Sequence, residues 1–249
     1  MKAKLFLVLF FLANSAFAAS DAKDPKQMIW PFDGALGTVD RQAAQRGYQV
    51  YKEVCASCHS MDLKSFRNLE EIGFSEAEVK AIAASYMVTD GPDSSGDMFE
   101  RPGRPSDRFV APFANDNAAR ASNGGALPPD LSLMVKARPD GANYLYSLLT
   151  GYQEPPEDFK LSPGMSYNPY FPGMQIAMAP PLVEDSVEYM DGTNASVDQM
   201  ARDVTIFLQW AAEPEMEARK SMGIKVLTYL FIFTVLFYFA KKRIWKKLK

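Results

Sequence analysis

The chain has 249 residues, 47 % of them hydrophobic, and a formal net charge of −3, which gives it material for one globular core and excludes the strongly basic composition of a nucleic-acid-binding chain. Its two cysteines, Cys55 and Cys58, and its single histidine, His59, lie within five consecutive positions, so no structural disulfide is expected in addition to that cluster. The charge is unevenly spread: residues 19–221 hold all 30 Asp+Glu but only 18 of the 27 Lys+Arg, a balance of −12 that suits steering of a basic, diffusing partner.

Residues 1–18 (MKAKLFLVLFFLANSAFA) combine Lys2 and Lys4, an apolar run from Leu5 to Leu12 and a small-residue site at Ala16-Phe17-Ala18. This is the pattern of a removed secretory signal, so the mature chain is expected to begin near Ala19. Asp40 can cap a helix over residues 41–54 that delivers Cys55 at its C-terminal end. Gly47 and Tyr48, about two turns before the cluster, offer a notch and an aromatic ring to a crossing helix.

The cluster itself reads VCASCHS, residues 54–60. Two cysteines at this spacing serve a redox dithiol, half of a zinc site or a covalent haem. A dithiol wants a thiolate activated at a helix N-terminus in a βαβ context. A zinc site wants four ligands, and no second Cys/His pair exists downstream. C-x-x-C-H in an exported chain points to haem c, one per chain, held by two thioethers with the histidine on the iron.

Ser75 and Glu78 make a capping box for a helix over residues 75–88. Thr89 to Asn123 is rich in Pro, Gly, Asp and Arg and is expected to run over the surface. Residues 141–151 (GANYLYSLLTG) form a short helix closed by Gly151. From Tyr152 to Pro181 seven prolines predict an irregular wrapping segment. Ser196 and Gln199 form a capping box for residues 196–212, whose Val197, Met200, Val204, Phe207, Leu208 and Ala211 share one face. An early and a late helix crossing on one side of a haem describe a c-type cytochrome scaffold. The fold class is mainly α, with long irregular haem-wrapping loops and no extended sheet.

Met222 to Ala240 is a nineteen-residue apolar stretch, about 28 Å long as a helix and close to the hydrocarbon thickness of a bilayer. Lys225 can snorkel outward. The tail 241–249 (KKRIWKKLK) carries six positive charges, which predicts a cytoplasmic C-terminus and a periplasmic main domain, residues 19–221, at a bacterial inner membrane.

An iron held by His59 has one more axial position, and no second histidine exists to fill it. Methionine becomes the leading choice, which raises the reduction potential as a late electron carrier needs. Met134 and Met200 sit on apolar helix faces and Met61 is too close to His59. The irregular stretch leaves Met165, Met174 and Met178, with Pro180 and Pro181 stiffening the loop of Met178.

VYKEVCASCHS, GALPPDLS, YLYSLLTGY followed by EPP, NPYFPG, IAMAPPL and FLQWAAEPE occur in this order along the chain, and together they resemble the cytochrome c1 family of the ubiquinol–cytochrome c reductase (bc1) complex. The resemblance implies thioethers at Cys55 and Cys58, with His59 as proximal and Met178 as distal ligand. It also implies haem contacts at Asn123, Ala126, Pro128 and Pro129, a propionate partner at Arg138 (Arg120 being a second candidate) and a further contact at Tyr144. Gly124 stands where the family often carries a second asparagine. The implied function is electron transfer without bond chemistry, from a Rieske iron–sulfur protein to a basic or membrane-tethered cytochrome c. The implied setting is beside a cytochrome b subunit and membrane lipid, in a complex that is a dimer. The rival readings are a free-standing, membrane-anchored electron shuttle, a haem sensor with an open sixth site, and a thiol oxidoreductase.

Overall fold

The computed structural model describes residues 22–246; the expected signal segment and the last three residues of the tail lie outside them. Helices α1 (Arg41–Glu53), α2 (Glu76–Ala84), α3 (Asp116–Ser122), α4 (Met134–Ala137), α5 (Gly141–Leu149), α6 (Val197–Ala212) and α7 (Met216–Lys246) carry the architecture. The described strands form two antiparallel pairs, β1 (Met87–Asp90) with β2 (Phe99–Pro102) and β3 (Ser166–Tyr167) with β4 (Gln175–Ile176).

The α1–α6 crossing organises the domain. The Asp40 carboxylate accepts hydrogen bonds from the backbone N–H groups of Gln42 and Ala43 and starts α1 as expected. A Cβ on Gly47 would lie 2.0 Å from the Asp203 carbonyl oxygen, so only glycine permits this approach of the two backbones. Arg46 locks the crossing: Nε and Nη2 donate to the two carboxylate oxygens of the buried Asp203 at 2.8 and 3.0 Å, and Nη1 reaches Asp191 at 3.0 Å. Around it Tyr48, Tyr51, Phe66, Phe109, Phe207 and Trp210 pack ring against ring with centroids 5.1–6.0 Å apart. Each such buried aromatic contributes about 1.5–3 kcal/mol of hydrophobic stabilisation.

Several expected boundaries shift, each for a local reason. The Ser75/Glu78 box starts α2, but the helix stops at Ala84 because Met87–Asp90 pair with β2 instead of continuing it. The polar stretch from Thr89 to Asn123 therefore contains most of a hairpin and all of α3. Arg101 on β2 ties that hairpin to Asp90 and to Asp107, the latter at 2.6 and 3.0 Å. Gly151 does not end α5 with a left-handed turn. It is needed because the Tyr170 ring would lie 2.4 Å from any Cβ there. At α6 the Ser196 hydroxyl accepts from the Gln199 N–H, but the Gln199 side chain turns to Asp203 rather than back to the cap.

Helix α7 extends beyond the apolar stretch at both ends, over 31 residues and about 46 Å. It is long and apolar enough to cross a membrane, and its apolar side chains stand exposed.

Candidate functional site

Helix α1 ends in a tight turn that gathers the cluster. The N–H groups of Cys58 and His59 both donate to the Cys55 carbonyl, at 3.1 and 2.9 Å, which sets the two thiols one turn apart with the imidazole directly after them. Burial, with Cys58 beside it, pushes the Cys55 thiol up to about 12. A redox dithiol needs the opposite shift, so the arrangement disfavours thiolate chemistry. Among the described residues, no three of His, Cys, Asp and Glu gather into a metal site of their own, which leaves the zinc reading without its ligands.

The imidazole is fixed from the far side. His59 Nδ1 lies 2.7 Å from the Pro129 carbonyl oxygen, so Nδ1 carries the proton and donates, and Nε2 keeps its lone pair free for a metal. Burial pushes the imidazole pKa down, which favours the neutral, ligating form.

Asp130 holds the Pro129 loop against the cluster. Its carboxylate accepts from the Ser60 hydroxyl at 2.9 Å, the Asp62 N–H at 2.7 Å and the Ser132 N–H at 2.8 Å. The Leu131 N–H donates to the Ser60 carbonyl and the Leu63 N–H to the Ser132 hydroxyl. Burial alone would raise the Asp130 carboxyl, but the Ser132, Asp62 and Ser60 hydrogen bonds outweigh it and hold the group below the ordinary range. Sequence reasoning missed Asp130, although Asp-x-Ser, with the carboxylate accepting from the N–H two residues on, is a recognisable turn signal.

The expected contact residues fall into two groups. Asn123, Ala126, Pro128 and Pro129 lie on the loop leading to Asp130, the first three half-buried and Pro129 exposed. The Asn123 amide donates to the Ala119 carbonyl at 2.7 Å, and Arg120 Nη1 to the Gly125 carbonyl at 3.1 Å, so both brace this loop. Gly124 and Gly125 turn it with φ of +59° and +93°. Asparagine tolerates that backbone region better than other side chains, which explains why Gly124 can replace it.

Arg138, Tyr144 and Met178 form the second group. Tyr144 on α5 is buried, which raises its hydroxyl pKa, while the neighbouring Arg138 guanidinium works the other way. Tyr152, close to Tyr144, donates its hydroxyl to the Met178 carbonyl at 3.1 Å and fixes that loop. The three candidate methionines differ in their surroundings. Met165 is exposed, and the Met174 sulfur accepts from the Tyr167 hydroxyl at 3.7 Å. Met178 is half-buried against the same hydrophobic core that Cys55 and Tyr144 border. The donor set therefore fits a covalent haem: two adjacent thiols, a neutral imidazole with Nε2 free, and a thioether beside the same core.

A family model described as the Cytochrome C1 family matches residues 30–248. The chain belongs to the cytochrome c1 family. Relatives include cytochrome c1 of Rhodospirillum rubrum, 48 % identical over 88 % of this chain and 87 % of that protein. The mitochondrial heme protein cytochrome c1 1 of Arabidopsis thaliana is 48 % identical over 98 % and 79 % of the two chains. A Bradyrhizobium diazoefficiens protein named cytochrome b/c1 is 49 % identical over 93 % of this chain and 37 % of its own length. Membership makes this chain a haem-carrying electron-transfer subunit of the bc1 complex, and α7 fits the single membrane helix such a subunit uses.

Proposed function

We propose that the chain takes electrons from a Rieske iron–sulfur protein and passes them to a cytochrome c, beside a cytochrome b subunit in a dimeric complex. Cys55 and Cys58 would hold the haem through thioethers, and His59 and Met178 would ligate its iron. When bound, the haem supplies a one-electron iron couple. The protein orients, shields and tunes it. Burial keeps His59 neutral, and the Pro129 carbonyl, held in place by Asp130, aims it, which makes it a stronger ligand. The Tyr152–Met178 bond steadies the thioether loop. Arg138, beside Tyr144, would pair with a propionate, and Asn123, Ala126, Pro128 and Pro129 would contact the haem from the other loop. The signal 1–18, the periplasmic domain and the cytoplasmic tail 241–249 complete the topology, with residues 222–240 crossing the bacterial inner membrane.

The observation that carries this reading is the His59 Nδ1 to Pro129 contact directly after the two cysteines, which leaves Nε2 free for a metal. Purification in mild detergent tests it. The chain is expected to retain its colour after denaturation and to elute with cytochrome b and Rieske subunits. A coloured chain eluting alone would instead identify a free-standing shuttle.

A further inference from the structure

The segment from Trp30 to Val39 (WPFDGALGTV) buries both of its ends and leaves a leucine outside. Trp30 and Phe32 are buried and stacked, their ring centroids 5.5 Å apart, and Val39 is buried as well. Between them the chain closes on itself: the Asp33 N–H donates to the Trp30 carbonyl and the Thr38 N–H to the Pro31 carbonyl, both at 3.0 Å. A Cβ on Gly37 would lie 2.1 Å from the Asp33 carbonyl oxygen, so the loop is tightly wound. Asp33 turns its carboxylate back to accept from the Trp30 N–H at 2.9 Å. Leu36, near the tip, is 81 % exposed.

This loop is fastened to α7. Lys220 Nζ donates to the Phe32 carbonyl at 2.6 Å and to the Gly37 carbonyl at 3.1 Å. Lys220 lies two residues before Met222, where the apolar stretch begins. If that stretch fills the hydrocarbon, the headgroup layer adds roughly 5–8 Å on each side, or about four or five helical residues. Lys220 then lies within the headgroup layer, and the two carbonyls it holds are brought there with it.

We propose that the loop over residues 33–37 is a second membrane contact, with Leu36 seated in the headgroup–acyl boundary beside α7. The inference rests on reading α7 as the membrane span. The partner is the bilayer because the loop continues the surface of the helix that enters it. Lys220 and Lys225 supply cations at the phosphate level, and an apolar side chain projecting at that depth gains by leaving water.

The test uses Leu36→Cys in the full chain, in its membrane, labelled with a nitroxide and examined by power-saturation electron paramagnetic resonance. Oxygen reports apolar surroundings and a water-soluble nickel chelate reports aqueous ones. Met190→Cys, at a 99 % exposed position of the domain, and Leu230→Cys, on α7, serve as references. The expected oxygen-to-nickel accessibility ratio at position 36 is several-fold above that at 190 and approaches that at 230. A ratio equal to that at 190 overturns the proposal. Protection from both reagents also overturns it, in favour of a covering protein subunit. Nickel access at 230 would sink the membrane-span reading itself, and the loop contact with it.

Discussion

The Pro129 carbonyl stands 2.7 Å from Nδ1 of His59, across 70 residues of sequence, and Asp130 is the residue that keeps it there. Replacing Asp130 by Ala leaves the Asp62 and Ser132 N–H groups and the Ser60 hydroxyl without their acceptor. The expected cost is about 1–3 kcal/mol in denaturant unfolding. The His59 ring signals should broaden or split in paramagnetic NMR of the haem protein. An unchanged imidazole signal would mean that Pro129 is held by other contacts.

The same carboxylate predicts an acid limb. Its folded pKa lies below the ordinary value, so its contribution is fully present at neutral pH and is lost as pH falls through the folded value. Asp130→Asn lacks that titration. The gap between wild type and variant in urea midpoint, largest near pH 7, should therefore narrow on acidification below about pH 4. A gap independent of pH would assign the stability to the side chain's shape and not its charge.

Gly47→Ala tests the helix crossing. The added methyl would meet the Asp203 carbonyl oxygen at 2.0 Å, push α6 away from α1 and stretch the Arg46–Asp203 pair. Destabilisation of about 3 kcal/mol or more is expected, a fall in Tm of roughly 6–12 °C. Gly223→Ala meets no atom within 4 Å and should stay within about 0.5 kcal/mol. Equal stability of the two variants would show that the crossing can open without cost.

Arg138→Gln removes a cation beside Tyr144, one that is proposed to pair with a haem propionate. Losing it favours the oxidised, more positive haem, so the reduction potential should fall. Arg138 is exposed. Pairs of that kind are worth about 0.2–1 kcal/mol, which limits the fall to about 40 mV. A redox titration that gives an unchanged or higher potential would remove Arg138 from the haem edge.

Much of this was legible in the sequence because the signals are local. The Asp40 cap, the Ser75/Glu78 box, the small residue at Gly47 and the apolar length of the anchor are each properties of a few neighbouring residues. What escaped depended on distant partners. Strand β1 needs β2 to exist, Gly151 is explained only by the Tyr170 ring, and Gln199 leaves its cap for Asp203 because the Arg46 pair is already there. The site divides in the same way. Cys55, Cys58 and His59 announce themselves by spacing, whereas the Asp130 clamp and the Tyr152 bond to the Met178 carbonyl are contacts across long loops. Met178 is singled out by the resemblance of its IAMAPPL segment and by the prolines that follow it, while exposure and the Tyr167 contact describe the surroundings of Met165 and Met174.

The most direct measurement is the optical spectrum of membranes carrying wild type, Met178→Leu, Met174→Leu or Met165→Leu, reduced with and without carbon monoxide. A six-coordinate site closed by the Met178 sulfur should refuse carbon monoxide in wild type and in the other two variants. Only Met178→Leu should bind it, with a sharp fall in reduction potential. Carbon monoxide binding by wild type would mean an open sixth site and a sensor. Its absence in Met178→Leu would give the distal position to another residue.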